Sequence, residues 1–426
     1  MNCTSFLIGC ISFMTAYTGL AAANDSESIQ TKFVGMGSFE AGQYVKCEIN
    51  GGNNETDHLW YQKTYMDLGF TATVDERTNL SFVGEGMVHF AYDLSKDKVD
   101  DNRPFYFFYP HNVAITYSFG DIRRPWLKIG AGVMPFKYNP DVRNLGEYLF
   151  RTNTYPPTMR NQFDFPLARV TGFQLTSTLF DSLNLCLMLT TETQVLPLED
   201  FGPSFLADYT FRKTITVGAG VFFSHLWSVN ESYTTPNNSN NAIMDSTTGQ
   251  PSGYYTFRGT KLMGRIAFDP KPFIPLEILG ENDLRLYSEV AVLGLENQGT
   301  FYKELWRRIP IMVGFNIPAF KTLDVFSVEL EWYTWNYRNS YSTYLFAQML
   351  PLPDDPVPVS DYNENALKWS FYAKKKIGRH FSIIGQVAYD HSQFERNVYL
   401  QAESYFGDAM HKHGDWAWML KTQFDF

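Results

Sequence analysis

Three things are scarce in these 426 residues: cysteine, charge and long apolar runs. There are four cysteines, and Cys3 and Cys10 fall in the first ten positions. The remaining Cys47 and Cys186 stand far apart with no metal-ligand spacing, which excludes a disulfide framework and reads as packing. Charged residues make up only 19% and the formal net charge is −10, a balance that disfavours a nucleic-acid partner. No stretch reaches the roughly 18 consecutive apolar residues of a membrane-spanning helix, so a helical membrane protein is excluded. Catalytic patterns are missing too. No G-x-S-x-G, H-E-x-x-H or phosphate loop occurs, and the chain is not read as an enzyme or as the holder of a cofactor. His411-x-His413 lacks the third ligand that a catalytic zinc needs, so no metal is expected.

Aromatic residues, by contrast, are plentiful at 17%, while mean hydropathy is only −0.25. Disordered chains are poor in aromatics. A chain rich in them yet not apolar overall suits one that buries alternate residues. The N-terminus reads as an export signal: Phe6 to Ala23 is apolar and small, ends in Ala21-Ala22-Ala23, and precedes Asn24-Asp25-Ser26-Glu27. Cleavage is expected after Ala23, giving a signal over 1–23 and a mature chain over 24–426. Leu7-Ile8-Gly9-Cys10 resembles a lipoprotein box, but too little chain precedes it for an apolar signal core.

Two-residue alternation is strongest at the C-terminus. Trp416, Trp418, Leu420, Thr422, Phe424 and Phe426 share one face, and Ala417, Met419, Lys421, Gln423 and Asp425 share the other. The aromatic pairs at the two ends lie about eight residues apart, which at ~3.3 Å per residue and a ~40° tilt spans roughly 20 Å. That matches an apolar band about 25 Å tall between aromatic girdles. The pattern recurs in Met66/Leu68/Phe70, Leu80/Phe82/Val88, Val113/Ile115/Tyr117, Leu183/Leu185/Leu187, Ile215/Val217/Val221 and Leu284/Leu286/Val290. It returns in Ile311/Val313/Phe315, Phe326/Val328/Leu330, Leu367/Trp369/Phe371 and Phe381/Ile383/Val387. Residues 35–48 and 168–178 alternate poorly and are read as strands because the topology requires them.

The sum is an all-β chain: a transmembrane antiparallel barrel of about sixteen strands, with both ends on one side. Backbone amides in hydrocarbon need internal partners, so such a sheet has to close. Short turns (75–79, 120–125, 181–182, 212–213, 318–324, 377–380) alternate with long connections, of which 135–167 is among the longest. The Pro-rich link 269–283 is anomalously long for the short-turn side, and a small plug or partner patch is one reading of it.

This chain resembles the bacterial outer-membrane porins in its signal, sixteen alternating strands, aromatic ends and terminal Phe426. The resemblance implies a water-filled barrel for ions and small hydrophilic solutes in the bacterial outer membrane. It also implies contact with outer-membrane lipid and lipopolysaccharide, and a homotrimer. Trp418, Leu420, Phe424 and Phe426 would carry the signal read by the barrel-assembly machinery. The third long loop of such porins folds inward; here that slot is 135–167, with Lys137, Asp141, Arg143, Glu147, Arg151, Arg160 and Asp164 as its charges. Asn139 or Asp141 is placed to cap a short helix bearing Leu145, Tyr148 and Leu149.

Strand parity turns Glu85, Lys128, Glu192, Asp208, Lys261, Arg265, Arg285, Glu289, Glu329, Glu331, Lys368, Lys374, Asp390 and Lys421 toward the lumen. They either set up a transverse field that orients solutes or satisfy one another. Glu329 and Glu331 share a face two residues apart, and a salt-bridge network is expected of them. The clusters 105–109 and 332–337 read as girdle in preference to a sugar slide. A substrate-selective channel for oligosaccharides or anions, and an adhesive barrel working through its loops, are the alternatives.

Overall fold

The computed structural model describes residues 29–46, 58–92, 105–150, 168–191, 200–229, 242–254, 256, 258–274, 276–295, 305–333, 366–390 and 414–426. Sixteen strands close into a single antiparallel barrel. In chain order they are β1 (Gln30–Lys46), β2 (Leu59–Thr73), β3 (Thr78–Tyr92), β4 (Phe105–Gly120), β5 (Pro125–Phe136), β6 (Ala168–Leu179), β7 (Leu183–Thr191), β8 (Phe201–Phe211) and β9 (Ile215–Ser224). A small separate hairpin, β10 (Ala242–Met244) with β11 (Pro251–Tyr254), interrupts the series. The ring resumes with β12 (Gly259–Phe268), β13 (Leu286–Val292), β14 (Ile311–Asn316), β15 (Val325–Tyr333), β16 (Ala366–Ile377), β17 (Phe381–Tyr389) and β18 (Trp416–Asp425).

Alternation decides which side each residue takes. Met66, Phe205, Val217, Leu286, Phe371 and Leu420 are exposed on the outside, whereas their neighbours Asp67, Leu206, Tyr287, Tyr372 and Lys421 are buried inside. The seam is closed by β18 on β1, from Met36↔Asp425 to Lys46↔Trp416. Beyond the ladder, Gly35 and Phe426 exchange backbone hydrogen bonds of 3.0 and 2.9 Å. Gly35 leaves room for the Phe426 ring that lies against it; an added Cβ would sit 2.3 Å from Phe426 Cζ, so the ring would have to move.

Connections at one end are short. Asp75 organises the β2–β3 turn by accepting the Arg77 and Thr78 N–H groups at 2.7 Å each. Arg212 and Lys213 both take positive φ (49° and 57°), the twist-matched form of a two-residue hairpin turn.

Four details depart from the sequence reading. β1 begins at Gln30, five residues before the 35–48 segment that the topology required. β3 begins at Thr78, shortening the 75–79 turn. Leu284 belongs to the link before β13 and not to the strand, at φ 64°. The connection 229–254, which its Asn, Ser and Thr content and few apolar residues mark as a loop, contains the β10–β11 hairpin, whose turn Asp245 holds through the Thr247 and Thr248 N–H groups.

The long 269–283 link folds onto the short-turn end, and the buried Asp283 holds it there. This carboxylate accepts N–H groups from Gly280 (2.8 Å), Ala319 (3.2 Å) and Phe320 (3.2 Å). Lys271 adds an ion pair to Asp269 at 3.0 Å and donates to the Asp283 carbonyl.

Candidate functional site

The chain leaves the wall at the end of β5 and turns into the barrel. Residues 137–150 lie against the inner face, and their apolar side chains explain why. Tyr138, Val142, Leu145, Tyr148, Leu149 and Phe150 are all buried, in one cluster with the inward Met134, Met188, Leu206, Phe222, Met263 and Met312. Phe150 is the anchor, with ring centroids 5.5 Å from Phe136, 6.1 Å from Tyr138 and 5.4 Å from Phe222. Each such side chain removed from water stabilises the inward position by about 1.5–3 kcal/mol.

The expected short helix is absent: residues 139–150 run as turns and bends. Gly146 (φ 85°) and Glu147 (φ 62°) sit in the left-handed region, which a continuous right-handed helix does not allow. Backbone N–H groups that no helix satisfies need other acceptors inside a packed lumen. Wall carboxylates provide them.

Glu329 on β15 accepts the Arg143 N–H at 2.5 Å and the Asn144 and Leu145 N–H groups at 2.8 Å. Glu289 on β13 accepts the Tyr148 N–H (2.9 Å), the Glu147 N–H (3.2 Å), the Asn139 side-chain amide (3.1 Å) and the Tyr138 hydroxyl (2.6 Å). Glu331 takes the Tyr148 hydroxyl at 2.9 Å, and Asp390 takes the Asn144 amide. Inside the segment, Glu147 accepts the Asn139 N–H at 2.6 Å. Runs of backbone N–H around a carboxylate form a strong anion cradle; here the anion belongs to the wall.

Cations engage the same segment from the other direction. Arg285 pairs with Asp141 at 2.6 Å, Lys261 donates to the Tyr148 carbonyl at 3.3 Å, and Lys137 donates to the Val142 carbonyl at 2.6 Å. Arg265 bonds Asp208 at 2.8 Å and reaches Asn139 Oδ1 at 3.4 Å. Tyr138 is fully enclosed; burial, then the nearby Glu289 and Glu147 carboxylates, push its phenol well above the usual range.

The structure therefore gathers Lys137, Asp141, Arg143 and Glu147 with Lys261, Arg265, Arg285, Glu289, Glu329 and Glu331. It does not bring in Glu85, which lies on the β3 wall, nor Lys128 and Lys374 toward the short-turn end. Arg151, Arg160 and Asp164 lie outside the described residues, as do Glu192, His411, His413 and Cys47. Glu329 corrects the salt-bridge expectation. Its contacts are three backbone amides and the Tyr287 hydroxyl at 2.8 Å, not a lysine or arginine. Tyr138, Asn144 and Tyr287 escaped the sequence reading, since polar-tipped aromatics and a loop asparagine give no periodic signal. Cys186 is a free thiol on β7.

A second inner cluster lies on β1, β2 and β15–β18, with Tyr44, Tyr61, Tyr372 and Tyr389 buried together. Lys368 stands 3.8 Å from the Tyr389 ring centroid. On the outside, Trp418 meets Trp60 edge-on at 5.4 Å, and Phe424 and Phe426 neighbour each other at 6.0 Å at the opposite strand end.

Together these features define a porin-like barrel in architecture: sixteen antiparallel strands, closed, with residues 137–150 held inside. No family model matches the chain, and no curated protein matches it. Among solved structures, two mutant forms of a Rh. blastica porin align over 93% of this chain and 100% of that chain, at 10% identity and TM-score 0.43. A triple mutant of the Rhodopseudomonas blastica porin aligns over the same shares at 10% identity and TM-score 0.42. Likeness at that level adds nothing to the closure and strand count seen directly.

Proposed function

We propose that this protein is a channel of the bacterial outer membrane, exported by its N-terminal signal, that passes ions and small hydrophilic solutes through a lumen narrowed by residues 137–150. The observation that carries the reading is the split of the barrel wall into two environments. Large apolar side chains such as Phe173 (57%), Val217 (52%) and Leu420 (51%) stand exposed outside a closed sheet, a face that water penalises and lipid accepts.

The inner face carries the charges. Buried Ser38, Ser370 and Ser382 hydroxyls and the Gln386 amide find no protein partner there, and polar groups of this kind are ordinarily hydrated. Aromatic residues at both strand ends match the interfacial girdles, and Phe426 at the seam suits the assembly signal. A homotrimer and lipopolysaccharide contact follow from the same reading.

Planar-bilayer recording of the purified protein tests it. Discrete conductance steps in potassium chloride are expected, and silence in every salt would overturn the channel. A saccharide-selective channel is the second reading, favoured by the inner tyrosine cluster and Lys368. Saturable block of the current by an oligosaccharide would select it.

A further inference from the structure

The wall away from the loop holds a cluster that conduction does not require. Asp67 on β2 and Glu85 on β3 are direct cross-strand partners, both buried on the inner face. Directly opposed residues bring their side chains within about 5 Å, so two carboxylates there repel unless a positive charge joins them. The third strand supplies a histidine by an irregularity. Pairing between β3 and β4 jumps from Val83↔Asn112 to Gly84↔Pro110, leaving His111 as an extra residue on β4. Pro110 explains the break, because it has no N–H to give the ladder, and a bulge re-aims the side chain it carries. His111 Nδ1 ends 3.2 Å from Glu85 Oε2 and 4.0 Å from Asp67 Oδ2.

One ligand atom from each of the three residues lies within 4.8 Å of the others. A tetrahedral zinc with ligands at about 2.1 Å needs ligand–ligand edges of about 3.4 Å. Small side-chain rotations cover the difference. Two carboxylates and one neutral imidazole cancel a charge of +2 and leave a fourth position for water. Mg²⁺ and Ca²⁺ favour all-oxygen shells, so the imidazole selects a zinc-like ion. His111 keeps about a fifth of its side chain exposed (20%), which gives an ion a way in from the lumen.

We propose that Asp67, Glu85 and His111 bind one divalent transition-metal ion of the zinc type on the inner wall of the barrel. The proposal stands on barrel geometry and does not depend on conduction. Calorimetric titration of Zn²⁺ into the metal-stripped full-length protein in detergent should show one ion per chain, undisturbed by excess Mg²⁺. His111→Ala and Asp67→Asn should each weaken binding by at least about tenfold. Heat-modifiable gel migration and the β-sheet circular dichroism band report whether each variant is folded, and Glu85→Gln replaces any that is not. Absence of zinc binding to the folded wild-type barrel would overturn the proposal, as would equal affinity in the folded variants. Zinc block of the current that vanishes in His111→Ala would add a functional consequence; a silent bilayer leaves the calorimetric result standing.

Discussion

Glu329 is the residue whose removal tells most about the inward loop. In Glu329→Ala, the N–H groups of Arg143, Asn144 and Leu145 and the Tyr287 hydroxyl lose their acceptor together. Hydrogen bonds to a charged partner are worth about 1.5–3 kcal/mol each, so the three loop amides sum to roughly 5–9 kcal/mol gross. Keeping a carboxylate out of water takes back several kcal/mol, leaving about 2–4 kcal/mol in favour of the docked loop. At 1.4 kcal/mol per factor of ten, the released population should rise roughly 30- to 700-fold. The buried Leu145, Tyr148, Leu149 and Phe150 still oppose release, so the effect is loosening and not collapse.

Trypsin cleavage after Arg143 in the folded barrel reads that population when opening is fast relative to cutting. The expected outcome is cleavage at least about 30-fold faster than in the wild type, with noisier and larger conductance steps. Glu329→Gln, which keeps one acceptor oxygen, should fall between the two. Wild-type cleavage and conductance in Glu329→Ala would refute the clamp.

Three further outcomes follow from other places. Gly146→Val should displace the loop, since φ is 85° and a Cβ would meet Met312 Cε at 2.8 Å and Glu289 Oε2 at 3.3 Å; the same trypsin assay checks it. Gly35→Val should drive the Phe426 ring from the seam, slowing folding into lipid vesicles as followed by gel migration, while Gly37→Val, with open space around its Cα, should not. Burial alone would raise the Asp200 carboxyl, but hydrogen bonds from His225, the Val229 N–H and Ser228 hold it below the usual range. A lowered folded value adds stability that is present above the unfolded value of about 3.9 and lost as pH falls through the folded one. Asp200→Asn should therefore flatten the acid limb of a denaturation profile below about pH 4 and leave its neutral limb parallel to wild type.

What could be read in advance follows from how local each signal is. Period-two alternation is written into neighbours, so the strand set and the outward faces of Val217 and Leu420 were legible. The 168–178 segment was not, because Thr171 and Ser177 share the outward face with the exposed Phe173 while the apolar Val170 is buried on the inward one. Loop length and position marked 135–167, and its apolar edge at Leu145, Tyr148 and Leu149 was visible. Its shape was misjudged, since helix capping at Asn139 competes with acceptors that belong to other strands. Glu329 lies 186 residues from Arg143 in sequence, and no local pattern announces that meeting.

The amino-acid sequence by itself determined that every second side chain avoids water, and hence that the sheet must close and roughly how many strands close it. Only the closed tertiary structure decided which inner carboxylates face which backbone amides. It also placed His111 beside Asp67 and Glu85. The physical reason is that alternation sets a face for each residue, whereas register around the ring and a single bulge at Pro110 set its partner.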